Sequence, residues 1–109
     1  MKIPIFPFNK WSCKKLQYFN KTCTSRNKKY GNVGDTFEVV LLNGNTNHYK
    51  LTHVERVTLG FVRDHFYEKE GCDNPKHFEK IWVEIHPGKK FDQNHKVWLH
   101  CFKFMKSVK

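Results

Sequence analysis

The sequence has 109 residues, a length that fits one domain with a single hydrophobic core and is too short for two. It carries 20 Lys and Arg against 10 Asp and Glu, so its formal net charge is +10, and 16% of its residues are aromatic. The aromatic content argues against a disordered chain. The excess of positive charge indicates attraction to polyanions, with nucleic acids and nucleotides first. We therefore expect residues 1–109 to form a single domain.

The cysteines and histidines indicate no metal or disulfide framework. Cys13, Cys23, Cys72 and Cys101 include no C-x-x-C pair, which is typical of reduced thiols in a cytosolic protein. The seven histidines lack helical or zinc-finger spacing, so no metal and no cofactor is expected.

The start, MKIPIFPFNK, is too short and too rich in proline for a signal peptide, and no later segment resembles a membrane span. We expect a cytoplasmic monomer or weak dimer without membrane contact.

The first half of the chain predicts one helix followed by strands. Residues 9–20 have apolar positions close to helical spacing, with Asn20 as the left-handed residue at the end. Residues 21–26, KTCTSR, predict a short strand, and residues 36–42, TFEVVLL, alternate as a second. The Asn-Gly dipeptide that follows predicts a turn into a long strand over residues 48–59.

The second half predicts two helices and a final strand. Residues 59–71 and 73–88 both repeat apolar residues at helical spacing, and in the second helix Asn74 is expected to cap Pro75 at the first position. Trp82 lies on the apolar stripe of that helix and is predicted to be core, whereas His86 is expected to cap it or to pack in the core. Residues 96–104, KVWLHCFKF, are apolar on both faces, as in a central strand. This order predicts an α+β fold, a small, mostly antiparallel barrel flanked by helices.

The segment KTCTSR concentrates polar groups that support chemistry. On a strand, Thr22, Thr24 and Arg26 would point to one side, and Lys21 at the junction with the helix can turn toward them. A lysine becomes a base or nucleophile when burial or a neighbouring cation disfavours its ammonium form, and Arg26 offers that cation. The stretch lacks an acid, for which Glu70, before a glycine at a helix end, is the leading candidate. Taken alone, these residues are more typical of a solvated strand face.

Five segments in order, NKTCTSR, GNVGDTFEV, HFYEKEG, FEKIWVEIHPG and KVWLHCFKF, make the chain resemble the ASCH domain, a PUA-like β-barrel family. It is most similar to the small bacterial N4-acetylcytidine amidohydrolases, because Thr24 stands where many ASCH domains have Glu in the signature G-x-K-x-x-E-x-R. The chain departs from that signature at Phe19, which replaces its glycine. The resemblance implies that Lys21 is a nucleophile or activated amine, Thr24 the proton acceptor and Glu70 the proton donor. Arg26 shapes the pocket, and Arg26 and Thr22 are expected to contact the substrate.

Two functions are consistent with these observations. The first is an amidohydrolase that removes the acetyl group from N4-acetylcytidine, or from a related N-acylated pyrimidine nucleoside, to give cytidine and acetate. Its partner would be a small nucleoside substrate. The second is a PUA-like module without catalytic activity that binds RNA or a modified base, which the charge of +10 and the aromatic residues favour.

Overall fold

The structure is a computed structural model that describes residues 1–109. Its elements are α1 (Lys10–Gln17), β1 (Cys23–Arg26), β2 (Thr36–Val40), β3 (Thr46–Thr58), α2 (Leu59–His65), α3 (Pro75–Ile85) and β4 (Lys96–Val108). The strands form one antiparallel sheet in the order β1-β4-β3-β2, with β4 between β1 and β3 as the sequence predicted. The predicted α+β class and antiparallel architecture are confirmed.

The two long strands give the sheet its shape. β3 and β4 each have 13 residues, and their pairing shifts register between His48 and Tyr49 and between Leu51 and His53. Such bulges bend a strand and increase its twist. The sheet consequently curls into a half-barrel.

Two hydrophobic clusters stabilise opposite faces of the curled sheet. The first joins α1 and the N-terminal segment to β2, β3 and β4, with Phe6, Leu16, Phe37 and Leu51 among its members. The second lies between α2, α3 and the β1 end of the sheet. The N-terminal segment, which is neither helix nor long strand, is therefore part of the core.

Two of the predicted helix ends are wrong. The predicted helix over residues 59–71 ends at His65, and residues 66–71 form tight turns. In a continued helix, the Lys69 carbonyl would accept a hydrogen bond from the next turn. Here it accepts instead from the backbone N–H groups of Thr22 and Cys23, at 2.8 and 3.0 Å. Tertiary pairing with the start of β1 thus replaces the continuation of the helix.

At the end of α1, the left-handed residue is Phe19, with a φ of 60°, and not Asn20. The N–H groups of Phe19 and Asn20 donate to the carbonyls of Leu16 and Lys15, which is the Schellman pattern with Phe19 at the position where glycine is usual. The prediction for α3 is confirmed, because Asn74 accepts from the His77 N–H at 2.8 Å and Pro75 is the first helical residue.

Candidate active site

A cleft of about 570 Å³ lies beside the edge strand β1, between α3 and the segment that leads into α1. Four of the residues singled out in the sequence line it, namely Lys21, Thr24, Arg26 and Glu70. Lys21 and Glu70 are separated by 49 positions in the chain, so the fold brings them together.

The turn that carries Glu70 is held against the start of β1. The paired hydrogen bonds to the Lys69 carbonyl fix the two segments side by side. Gly71 then reverses the chain with a φ of 98°, and a Cβ at this position would meet Lys15 Cγ at 3.2 Å. Glycine is suited to this conformation because it lacks a Cβ. The turn therefore directs Glu70 inward, next to Lys21.

Lys21 and Glu70 form a buried ion pair at the floor of the cleft. The Lys21 Nζ donates to Glu70 Oε1 and to the Glu70 carbonyl, both at 3.0 Å, and the two side chains are only 3% and 6% exposed. Glu70 Oε2 is buried and has no hydrogen-bond partner. Because a buried carboxylate oxygen is costly to leave unpaired, this atom favours a ligand that presents a hydrogen-bond donor.

Arg26 and Thr24 form a second polar pair in the cleft. Arg26 Nη1 donates to Thr24 Oγ1 at 2.7 Å, and Nη2 donates to the Pro7 carbonyl at 2.8 Å. The guanidinium also lies 5.0 Å from the centre of the Phe8 ring, a distance typical of cation–π contacts. Burial lowers the pKa of Arg26, and the charge of Glu70 partly opposes this effect. Thr24 is fully buried, and one lone pair of its hydroxyl remains open after the bond from Arg26.

Thr22 does not share the cleft, contrary to the prediction that it points to the same side as Thr24. It is exposed and lines a separate depression with Phe19 and Lys69. The reason is that β1 begins only at Cys23, and Thr22 uses its N–H and carbonyl to pair with Lys69 and Phe102. Strand alternation therefore does not extend back to Thr22.

The walls of the cleft are largely apolar and aromatic, which is typical of small-molecule sites. Trp82 was predicted to be core, but it is half-buried and lines the cleft, stacked on His86 with 4.2 Å between ring centres. His86 follows α3 as its cap, as expected, and its Nδ1 lies 2.8 Å from the Trp82 carbonyl. Trp11 also lines the cleft, with its ring centre 5.7 Å from Lys21 Nζ. The apolar stripe of α3 thus serves the cleft as well as the core.

One residue next to the site was not identified from the sequence. His100 on β4 pairs in register with Thr24 and is fully buried, and its Nε2 accepts from the Tyr30 N–H at 3.1 Å. Burial, with the nearby charge of Arg26, lowers the pKa of His100 to about 4. The imidazole is therefore neutral at neutral pH and adds no charge behind Thr24. Its position in the alternating strand KVWLHCFKF, on the same face as Phe102, is the one sequence signal for its burial.

No three His, Cys, Asp or Glu side chains are grouped so that they could hold a metal ion. None of the helices has the length and apolar character needed to span a bilayer.

The fold is that of an ASCH domain. An ASCH domain from Lactobacillus crispatus JV V101 superposes with a TM-score of 0.64, covering 94% of this chain and 78% of its own, at 17% sequence identity. Protein EF3133 from Enterococcus faecalis V583 superposes with a TM-score of 0.65, covering 87% of this chain and 67% of its own, at 15% identity. No family model and no curated protein matches the sequence. The likeness to these structures therefore concerns the fold alone.

Proposed function

We propose that the protein is an amidohydrolase that removes the acetyl group from N4-acetylcytidine or a related N-acylated pyrimidine nucleoside. The observation that carries the proposal is the buried Lys21–Glu70 pair with its open Oε2, set beside Thr24 and Arg26 in an aromatic cleft. An acylated cytosine offers a carbonyl oxygen for Arg26, an amide nitrogen for Glu70 and a flat ring for the aromatic walls.

The reaction requires an activated nucleophile, a proton acceptor and a proton donor. Transfer of one proton over the 3.0 Å between Lys21 Nζ and Glu70 Oε1 leaves a neutral amine and a neutral acid. The amine then activates a water molecule that attacks the acetyl carbon, and the Thr24 hydroxyl relays the proton released by this water to the Lys21 amine. When the bond between the acetyl carbon and N4 breaks, Glu70 returns its proton to N4. One water molecule is consumed, and the products are cytidine and acetic acid, which ionises to acetate and releases a proton to solvent.

The test is turnover of N4-acetylcytidine by the purified protein, followed by chromatography of cytidine. We expect Lys21→Met to lower kcat/KM by about 10³-fold, since it removes the activated amine. Lys14→Met, on the exposed face of α1, is the matched control and retains wild-type activity. Circular dichroism of both variants separates loss of chemistry from loss of fold. Absence of cytidine from the wild type, or full activity in folded Lys21→Met, would overturn the proposal.

A second candidate function is RNA binding, favoured by a cluster of cations around an aromatic side chain. Trp98 has the Lys29 ammonium at 5.3 Å and the Arg56 guanidinium at 5.5 Å from its ring, and the chain has a net charge of +10. Cationic groups bind phosphates, and an aromatic face stacks on bases. This surface includes none of the residues of the proposed reaction.

The RNA-binding candidate predicts affinity for a labelled single-stranded RNA that falls steeply between 50 and ~200 mM salt. Arg56→Gln should weaken binding several-fold, whereas Arg63→Gln should not, because Arg63 is already paired with Asp64. Equal effects of the two substitutions would exclude the surface around Trp98 as the binding site.

A further inference from the structure

Two cysteines face each other across neighbouring strands beside the cleft. Cys23 on β1 is the register partner of Cys101 on β4. The Phe102 N–H donates to the Thr22 carbonyl at 2.9 Å, and this bond lies next to Cys23 and Cys101, which therefore occupy a non-hydrogen-bonded position of the ladder. In such pairs the Cα atoms are about 4.5 Å apart, within the range of 4.4 to ~6.8 Å that a disulfide spans. A bridge therefore needs little movement of the backbone.

The two thiols are suited to different roles. Cys101 is partly exposed, whereas Cys23 is buried. The pKa of Cys101 lies below its usual range, chiefly because the Cys23 thiol can donate a hydrogen bond to the Cys101 thiolate, with His53 and Lys69 adding positive charge. The interaction with Cys101, together with burial, raises the pKa of Cys23. Cys101 is consequently the thiol that reacts first with an oxidant from solvent.

The other two cysteines lack this arrangement. Cys13 belongs to the opposite hydrophobic cluster, where its Sγ is 3.7 Å from the Phe8 carbonyl. Cys72 is buried, which raises its pKa to about 11. Neither has a cysteine as a cross-strand partner.

We propose that Cys23 and Cys101 are a modification site that closes to an intramolecular disulfide in the presence of a small-molecule disulfide such as oxidised glutathione. The Cys101 thiolate attacks one glutathione sulfur, whose S–S bond breaks, and the departing glutathione thiolate takes up a proton. Cys23 then loses its proton to solvent and attacks the Cys101 sulfur, and the second glutathione leaves as the thiolate. The two cysteines lose two electrons in total, and glutathione disulfide gains them.

The bridge would join β1 to the central strand directly before Thr24. It would therefore stiffen the edge strand that carries Thr24 and Arg26. The bridge itself does not depend on the proposed reaction, because it is detected in the protein without any substrate.

The experiment treats the reduced protein with oxidised glutathione at pH 8 and counts free thiols. We expect the count to fall from four to two in a monomer, reversibly with a reductant. A tryptic digest should contain one disulfide-linked species of residues 22–26, TCTSR, with residues 97–103, VWLHCFK. Because the bridge closes a long loop, we also expect the midpoint of thermal unfolding to rise by roughly 10 °C.

Matched cysteine variants complete the test. Cys13→Ser should still lose two thiols, whereas Cys101→Ser should lose none to an intramolecular bridge. The peptide map of the wild type decides the question even where a variant does not fold. Four thiols that remain free, a bridge to Cys72, a bridge between two chains, or glutathione attached without a bridge would each overturn the proposal.

Discussion

Lys21 and Glu70 form an ion pair with each other in a buried position. Both side chains are almost fully removed from water, and their two hydrogen bonds are 3.0 Å long. Burial of two charges costs free energy that their attraction only partly offsets. A pair in this position is therefore better explained by a use in the cleft than by its contribution to stability.

We predict that Glu70→Ala lowers the free energy of unfolding by about 3–5 kcal/mol, because it leaves the Lys21 ammonium buried without a counter-ion. The double variant Lys21→Met with Glu70→Leu should recover most of that loss, since neither charge remains. Urea denaturation measures the free energy of unfolding of the single and the double variant. The control is Glu68→Ala, an exposed carboxylate two residues earlier, which should change stability by less than ~0.5 kcal/mol. Equal losses for Glu68→Ala and Glu70→Ala would contradict the prediction.

His100 makes the stability of the fold depend on pH. Its folded-state pKa of about 4 lies below the ordinary 6.5, so the unfolded chain binds more protons between these values. We therefore expect stability to be full above pH 6.5 and to fall as the pH drops to about 4, by roughly 2–3 kcal/mol.

The measurement is the free energy of unfolding of wild type and His100→Gln at pH 7.5, 6 and 5. Glutamine can accept the Tyr30 N–H bond but does not titrate. The difference between the two proteins should shrink as the pH falls, because only the wild type loses the contribution of His100. A constant difference over this range would show that His100 does not titrate as described.

At the scale of elements, the junction between α1 and β1 is where the chain departs from the signature it resembles. Phe19 occupies the left-handed position at which the signature has glycine. The Phe19 ring is 61% exposed and meets Phe104 edge-on, with 5.1 Å between ring centres. Phe19 thus adopts the left-handed conformation without the freedom of glycine, at a cost in conformational strain.

We predict that Phe19→Gly is about 1 kcal/mol more stable than Phe19→Ala. Both variants lose the contact with Phe104, so the comparison isolates the left-handed backbone, which glycine adopts without a Cβ penalty. Thermal or urea unfolding of the two variants measures the difference. If the Phe19→Ala variant were as stable as Phe19→Gly, the left-handed conformation at this position would not be strained.

At the scale of the whole molecule, the N-terminal segment completes both the core and the cleft. Phe6 is buried against the rings of Phe37 and Tyr30, and the Pro7 carbonyl anchors Arg26. The half-barrel alone would leave this end of the sheet open. The N-terminal segment therefore packs against an end of the sheet where no helix or long strand lies.

We predict that Phe6→Ala lowers the free energy of unfolding by about 3–5 kcal/mol, because it opens a cavity in the first hydrophobic cluster. Ile5→Ala is the matched control, since the neighbouring Ile5 side chain is 71% exposed and should contribute less than ~0.5 kcal/mol. Similar losses in the two variants would mean that the segment is not packed as the structure has it.

The sequence by itself determined the features that depend on near neighbours in the chain. The cap and first turn of α3, the Asn-Gly turn and the alternation of the strands depend on residues a few positions apart, and all were predicted. The resemblance of its segments also predicted the fold and pointed to Lys21, Thr24, Arg26 and Glu70.

The tertiary structure alone decided the features that depend on contacts between distant segments. Pairing of Lys69 with Thr22 and Cys23 ended α2 early, set the start of β1 and turned Thr22 away from the cleft. The packing of α3 beside the cleft made Trp82 one of its walls. Local patterns cannot report such outcomes, because the free energy that decides them comes from hydrogen bonds and burial between residues far apart in the chain.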